Sequence, residues 1–221
     1  MDIDDLQSSK LMGLYTLTEF MKSFPSLARS FYSNCDKQLL DIVMPYIKQI
    51  VNPAILDNEI QKIEISQITL KGRGQGDGLS FSLFKSTKEI VAQYTKGEIS
   101  MQLKIHIPND YPLKQVQVEV GEQMKITERQ KNKWVLAIRN LLQVRNGDII
   151  SAVLLWKSNI DKEIDGIEEC FICYCVLHPT DKSLPRMPCK NCKNKFHASC
   201  IRKWFRTSNK SNCPLCQAFF F

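Results

Sequence analysis

The sequence has no run of 18 uncharged apolar residues, the minimum length that would predict a membrane-spanning helix. It also has no internal repeat and no low-complexity tract, and its 43% hydrophobic and 24% charged residues exclude a wholly disordered chain of 221 residues. Residues 1–5 are acidic where a secretory signal would be basic. We therefore expect a soluble cytosolic protein, bound to no membrane, with one large domain or two small ones.

The nine cysteines are an odd number and are unevenly distributed. Cys35 stands alone, whereas the other eight lie between Cys170 and Cys216. In a reducing compartment, such crowding indicates bound metal and not disulfides. The same end of the chain is basic, because residues 168–221 contain 9 of the 30 lysines and arginines but only 3 of the 23 acidic residues.

Hydrophobic spacing predicts an α+β fold in three parts. Residues 1–60 have helical spacing and are expected to form two or three helices, with a kink or restart at Pro45 and a boundary at Asn52 before Pro53. Residues 61–166 are expected to form a four-stranded antiparallel sheet with flanking helices. Residues 167–221 contain the crowded cysteines and are expected to form a small metal-binding domain.

Four stretches of alternating apolar residues predict the strands, in meander order: residues 62–70 with a bulge, 90–94, 99–107 and 116–120. Lys96 and Gly97 are expected to form the turn between the second and third strands. Two helices follow, and Thr127 and Asp148 are predicted to be their N-caps. The glycines at 72–78 lack the spacing of a phosphate-binding loop and are expected to form a hairpin tip.

Eight residues in the last part have the spacing of metal ligands. They form three C-x-x-C units and one H-x-x-C unit: Cys170, Cys173, Cys189, Cys192, His197, Cys200, Cys213 and Cys216. Two intervening residues let the chain turn back, so that both side chains of a unit reach one zinc ion. Four such units make two tetrahedral sites, in which protein ligands fill every position. Structural zinc is therefore expected, and catalytic zinc is not.

The spacing alone does not determine which units share an ion. The stretch resembles the RING family, whose ligand pairs interleave. By that resemblance, Cys170, Cys173, His197 and Cys200 hold one zinc ion, and Cys189, Cys192, Cys213 and Cys216 hold the other. Because neither site closes within one local segment, this crossed arrangement predicts a domain that folds only with metal.

The RING resemblance also implies a surface for a ubiquitin-conjugating enzyme charged with ubiquitin. Ile172, Trp204 and Pro214 match the positions at which RING domains contact that enzyme. Many RING domains have arginine or lysine directly after the last ligand, whereas this chain has Gln217, which donates and accepts hydrogen bonds without a charge. No catalytic residue is predicted, because the chemistry belongs to the partner enzyme.

Two other functions fit parts of the same region. PHD fingers share the ligand order, but they usually have an aromatic residue two positions before the seventh ligand, where this chain has Ser211. A basic adaptor that binds RNA is the other alternative, with exposed cations on phosphate: Lys190, Lys193, Lys195, Arg202, Lys203 and Arg206. A contact with ribosomal RNA is compatible with both this alternative and a RING domain.

The whole chain resembles the C-terminal part of the listerin family of RING ubiquitin ligases. The resemblance rests on Cys170-Phe171-Ile172-Cys173-Tyr174, on Lys195-Phe196-His197-Ala198-Ser199-Cys200 and on Ile107-Pro108-Asn109-Asp110-Tyr111-Pro112-Leu113. It implies that residues 1–60 end a helical-repeat region, that 61–166 form an RWD domain and that 167–221 form a variant RING. It further implies ribosome-associated quality control, in which nascent chains stalled on the large ribosomal subunit are ubiquitylated together with other quality control factors. We expect the loops at 71–78 and 109–111 to face the ribosome.

Overall fold

The computed structural model describes residues 3–70, 78–121 and 124–221. The N-terminal part is helical, with α1 (Ile3–Ser23), α2 (Pro25–Ser33), α3 (Lys37–Tyr46), a π turn (Ile47–Val51) and α4 (Asn52–Leu70). A sheet follows, with β1 (Gly78–Phe84), β2 (Glu89–Lys96), β3 (Ile99–His106) and β4 (Gln117–Val120), and then α5 (Glu128–Gln143) and α6 (Ile149–Ile164). The last part has β5 (Met187–Pro188), β6 (Lys195–Phe196) and α7 (Ala198–Ser208). The α+β class predicted from the sequence is confirmed.

Prolines bracket the change of helix type in the N-terminal part. Pro45 lies near the end of α3, two residues before the π turn, and Pro53 lies in the first turn of α4. A proline has no N–H for the α-helical bond, and a π turn is one way in which a helix accommodates that loss. The predicted boundary at Asn52 is thus a change of helical geometry, and the chain stays helical through it.

The helical run Lys37–Ser66 is long and apolar enough to meet the length and composition criteria for a membrane span. Helices that pack inside soluble proteins meet the same two criteria. In this run, Ile47, Val51 and Ile55 pack in a small core with Met21 and Ala28 of α1 and α2. Further along, Leu56, Ile60 and Ile63 of the run belong to the main core of the protein, whereas Ile42 and Ile65 are exposed.

The prediction of a first strand at residues 62–70 was wrong. These residues are the end of α4, and the first strand is Gly78–Phe84. A strand would place Ile63 and Ile65 on the same face, but Ile63 is fully buried and Ile65 is 66% exposed. Ile60 and Ile63 lie on one helical face that packs against the sheet. The glycines at 72–76 lie in residues 71–77, which are outside the described residues.

The four strands pair in sequence order and antiparallel, as predicted. Lys96 pairs with Ile99, so a two-residue turn joins β2 to β3, and Gly97 adopts φ +56° there. Along β3, alternate residues are buried, and Met101, Leu103 and Ile105 contribute to the core. We call residues 78–164 the sheet domain and residues 167–221 the zinc module. The expected boundary after residue 60 lies within α4.

Both predicted N-caps are present. The Thr127 side chain accepts a hydrogen bond from the Gln130 backbone N–H, and the Asp148 carboxylate accepts one from the Ser151 N–H at 2.8 Å. The α5 and α6 helices pack against the sheet through Trp134 and Ile138, and through Val153 and Ile160. The largest buried side chain of α6 is Trp156, which is fully buried on the same helical face as Val153 and Ile160.

Candidate metal centres and partner surface

The structure brings the eight predicted ligands into two groups. One contains Cys170, Cys173, His197 and Cys200, and the other contains Cys189, Cys192, Cys213 and Cys216; within each group the ligand atoms lie within 4.8 Å of one another. The groups use the first and third, and the second and fourth, ligand units along the chain. The two sites are therefore crossed.

Each of the three C-x-x-C units forms the same backbone turn. The residue after the second cysteine has a positive φ: 55° at Tyr174, 61° at Lys193 and 59° at Gln217. In each turn this residue donates its N–H to the carbonyl of the first cysteine, at 2.7, 3.1 and 3.1 Å. The N–H of the first cysteine bonds forward in turn, to the carbonyls of Cys175, Asn194 and Ala218. This geometry directs both thiols of each unit to one side.

The H-x-x-C unit, the third along the chain, is the start of α7. His197 is the N-cap residue, and Cys200 lies in the first helical turn. The His197 Nδ1 atom lies 3.3 Å from the Cys173 Sγ and 3.8 Å from the Cys200 Sγ, so this nitrogen faces the site. The other ring nitrogen, Nε2, lies 3.1 Å from the Val176 carbonyl oxygen. A histidine that binds metal characteristically has its second nitrogen oriented in this way.

The thiols would not readily ionise together without a cation. Burial, reinforced by repulsion from Cys170, raises the pKa of Cys200 to about 12, and burial likewise raises the pKa of Cys213 to about 12. Cys216 is the contrasting case, because a hydrogen bond from Asn191 lowers its pKa to about 6. A divalent ion would compensate the charge of the thiolates, so metal binding should release protons and weaken in acid.

Both groups fit zinc. Three thiols with one imidazole, and four thiols, are common donor sets of structural zinc. A tetrahedral site with zinc–sulfur bonds of about 2.3 Å has sulfur atoms about 3.8 Å apart. The Sγ atoms of Cys189 and Cys216 are 3.7 Å apart, and those of Cys192 and Cys213 are 3.8 Å apart. Protein ligands fill all four positions in each group, so zinc would be structural here.

The four residues predicted to contact a conjugating enzyme are at least partly accessible. Ile172 and Trp204 pack on the core of the zinc module with part of each side chain exposed, and Pro214 is half-buried. The indole N–H of Trp204 donates to the Asn212 carbonyl at 3.0 Å. Gln217 is exposed, and its amide nitrogen donates to the Pro214 carbonyl at 3.3 Å. The ligand turns that contain Ile172 and Pro214 also expose Phe171 and Leu215, which the resemblance to RING domains did not identify.

Two polar residues close to the ligands lie outside both groups. The Cys175 thiol donates to the Cys173 carbonyl, and His178 pairs with Asp181 while its ring packs edge-on against His197. A hydrogen bond from the Ser183 side chain holds the pKa of Asp181 at about 2. Cys35 lies in the turn between α2 and α3 and packs, partly buried, against the small core of the helical part.

Two family models match the chain. The model described as "Ubiquitin conjugating domain-like" covers residues 79–163, and the model described as "Ring finger domain" covers residues 168–217. The E3 ubiquitin-protein ligase listerin of Xenopus tropicalis is 34% identical over 91% of the chain, and that of Schizosaccharomyces pombe is 34% identical over 96%. The chain corresponds to the C-terminal RWD–RING region of listerin. The match to a RING model also decides between the RING and PHD interpretations.

The chain spans only a small part of the relatives that it matches, and its two matched segments differ in chemistry. The chain spans only 12% and 13% of the length of those two relatives, and the listerin of Saccharomyces cerevisiae, 30% identical over 96% of the chain, is covered to 13%. The segment that is similar to conjugating enzymes contains no cysteine, so it cannot form a ubiquitin thioester of its own. The zinc module is a RING domain with two zinc sites.

Proposed function

We propose that this chain is the ligase region of a RING-type E3 ubiquitin transferase, which recruits a ubiquitin-conjugating enzyme charged with ubiquitin. The crossed arrangement of the two zinc sites carries this proposal. Since protein side chains fill every ligand position, the metal organises a surface and activates no water. The family matches add support, because relatives that align over nearly the whole chain are named E3 ubiquitin-protein ligases.

The chain supplies orientation and no covalent step. Ile172, Trp204 and Pro214 contact the conjugating enzyme, and Gln217 donates a hydrogen bond from the end of the last ligand turn. Holding the ubiquitin thioester in a reactive pose lowers the entropy cost of attack by the substrate amine. Gln217 lacks the charge that would strengthen its bond, so it contributes less than an arginine at this position.

The test is discharge of ubiquitin from a charged conjugating enzyme to free lysine, measured with a panel of such enzymes. Ile172→Ala removes half-buried apolar surface without breaking a hydrogen bond. A Trp204 variant would also lose the bond from the indole N–H to the Asn212 carbonyl, so Ile172 gives the cleaner test. Truncating a contact at the centre of an interface costs about 2 kcal/mol or more, so the discharge rate should fall by about thirtyfold.

Leu136→Ala is the matched control, because Leu136 is an exposed apolar residue on α5, outside the zinc module. This variant should discharge ubiquitin at the unmodified rate. Both variants should keep two zinc ions per chain, and a chelator should abolish discharge by both. Undiminished discharge by Ile172→Ala with every conjugating enzyme would contradict the proposal.

We further propose that the substrates are nascent chains stalled on the large ribosomal subunit, and that the chain acts in the cytosol with other ribosome quality control factors. The resemblance of the whole chain to listerin supports this role. Asn109 and Asp110, in the turn after β3, line a concave surface with two lysines, Lys48 and Lys114. We propose this surface as a ribosome contact. The other expected contact, residues 71–78, lies almost entirely outside the described residues.

A direct contact with ribosomal RNA is a second proposal, supported by the zinc module itself. Six cations of the module are all exposed: Lys190, Lys193, Lys195, Arg202, Lys203 and Arg206. Binding through such a surface should weaken steeply with salt, because each phosphate contact releases counterions. The PHD alternative has no such support, since its aromatic position is the exposed Ser211.

A further inference from the structure

We propose that residues 176–184, here called the linking loop, join the first zinc site and the sheet domain into one cooperative unit. Leu177 and Leu184 are the positioning residues in this unit, because they fix the orientation of the zinc module on the sheet domain. The second zinc site, built from Cys189, Cys192, Cys213 and Cys216, lies outside the unit. This inference concerns metal retention and folding, and it does not depend on the proposed transfer of ubiquitin.

One side of the linking loop belongs to the sheet domain. Leu177 and Leu184 are 8% and 5% exposed, and both are part of the hydrophobic core formed by the sheet, α5 and α6. The Lys125 N–H, three residues before α5 begins, donates to the Lys182 carbonyl at 3.0 Å. Just after the loop, Arg186 pairs with Glu163 of α6. Apolar burial and polar contacts thus attach the loop to the two helices.

The other side of the linking loop reaches the first zinc site. The Val176 carbonyl lies 3.1 Å from the Nε2 atom of His197 and orients this ligand. His178 places its ring 5.2 Å from the ring of His197, in an edge-to-face contact. One residue before the loop, the Cys175 carbonyl accepts from the Cys170 N–H. Two of the four ligands of this site are therefore held by the loop and its first neighbour.

The linking loop is itself closed by short-range hydrogen bonds. The His178 N–H donates to the Ser183 carbonyl, and the Lys182 N–H donates to the His178 carbonyl, both at 3.0 Å. The Asp181 carboxylate accepts from the Ser183 N–H and from its hydroxyl, at 3.0 and 2.6 Å. A loop closed in this way transmits displacement of the leucines to His197, because it has few internal torsions to absorb it.

The second zinc site draws its neighbours from the zinc module. Its ligands pack with Phe196, Ile201 and Phe220 in the module's own core, which also contains Cys170 and Cys200 of the first site. The Lys190 N–H, within one ligand turn of this site, donates to the Phe220 carbonyl. The chain reaches the module from α6 through Gly166, which has φ +70° and open space around it. Without the linking loop, the module could therefore rotate about Gly166 while the second site stayed intact.

The test is metal release from the full chain loaded with cobalt(II), because its visible absorption differs between three-thiolate, one-imidazole sites and four-thiolate sites. Leu184→Ala and Leu177→Ala should each speed loss from the first site by about tenfold or more, since truncating a buried leucine costs more than the 1.4 kcal/mol that a factor of ten represents. Loss from the second site should stay within about twofold of the unmodified rate. Leu184→Met, which conserves volume, should restore most of the retention.

Leu154→Ala is the matched control, because Leu154 is an exposed leucine on α6. It should change neither release rate. Equal acceleration at both sites, or unchanged release in both loop variants, would overturn the inference.

The reverse experiment measures amide hydrogen exchange in α5 and α6, and it covers the case in which the leucine variants fail to fold. Cys170→Ser, in the first site, should lower protection in these helices, whereas Cys213→Ser, in the second site, should not. Equal protection in the two cysteine variants would refute the cooperative unit.

Discussion

At the residue scale, Tyr111 joins the helical part of the chain to the sheet domain. Its ring packs against both the main core and the small core formed by α1, α2 and the π turn. Burial, with the nearby Glu59 carboxylate adding to it, raises the pKa of Tyr111 to about 12, and Arg29 opposes the shift. Arg29 also donates to the carbonyls of Pro112 and Gln143, so charged and aromatic contacts meet at one place.

This raised pKa predicts a loss of stability in alkali. The unfolded chain ionises Tyr111 near pH 10, but the folded chain does so only near pH 12. The contribution is therefore fully present below pH 10 and is lost as pH rises through the folded pKa. Tyr111→Phe should reduce the loss of unfolding free energy between pH 9 and pH 11 by about 1 kcal/mol, measured by urea unfolding.

An exposed tyrosine provides the comparison for this effect. Tyr46→Phe, at the end of α3, should leave the alkaline loss unchanged. Burial also raises the pKa of Tyr32, so part of the loss should remain in the Tyr111 variant. If Tyr111→Phe has the same pH dependence as the unmodified chain, Tyr111 does not carry this contribution.

At the element scale, α6 connects the other parts of the molecule. Its buried face packs in the main core through Val153, Trp156 and Ile160, and its end carries Glu163, which pairs with Arg186 of the zinc module. The first turn of α6 depends on Asp148, whose carboxylate accepts from the Ser151 N–H and lies 4.0 Å from the Lys62 amine. One side chain thus satisfies a helix terminus and faces α4.

Removing this cap should destabilise the whole chain. Asp148→Ala leaves the N–H at the start of α6 without its acceptor and should lower the free energy of unfolding by about 1 kcal/mol in a denaturant titration. Asp148→Asn retains a side-chain acceptor at the same place and should lose only a fraction of that amount. A cost in the asparagine variant equal to that in the alanine variant would assign the effect to charge and not to the cap.

At the scale of the whole molecule, charge distribution distinguishes the two surfaces that we propose as ribosome contacts. The zinc module carries most of the excess basic charge, whereas the concave surface beside residues 109–111 has Lys48 and Lys114 around Asp110. A ligase held by the second surface would keep its zinc module free for the conjugating enzyme. A change in the second surface should therefore weaken ribosome binding and leave ubiquitin discharge unchanged.

Lys114→Glu should weaken cosedimentation with large ribosomal subunits and make the remaining binding less dependent on salt, because a phosphate contact is lost. Its ubiquitin discharge to free lysine should be unchanged. Lys133→Glu makes the same charge change at an exposed position on α5 and should bind normally. Equal losses in the two variants would indicate a general effect of net charge.

The sequence by itself determined the features that depend on neighbours along the chain. The N-caps Thr127 and Asp148, the turn at Gly97 and the eight ligands of the zinc module were all predictable, because caps, turns and ligand units have fixed local spacing. Local spacing did not decide how the ligand units pair in space, and that pairing came from the resemblance to RING domains. The crossed groups in the structure have the same members.

Only the tertiary structure decided the state of residues 62–70 and the role of the linking loop. Ile63 and Ile65 alternate like strand residues. In the structure they lie on a helix instead, which packs Ile60 and Ile63 together against the sheet and leaves Ile65 in solvent. Leu177 follows Val176 shortly after the first ligand unit, and Leu184 lies between Ser183 and Pro185, so neither leucine belongs to a helical or alternating pattern that would predict burial against the sheet domain. The sheet domain buries them because it presents an apolar surface to a distant segment, and contacts between distant segments leave no period in the sequence.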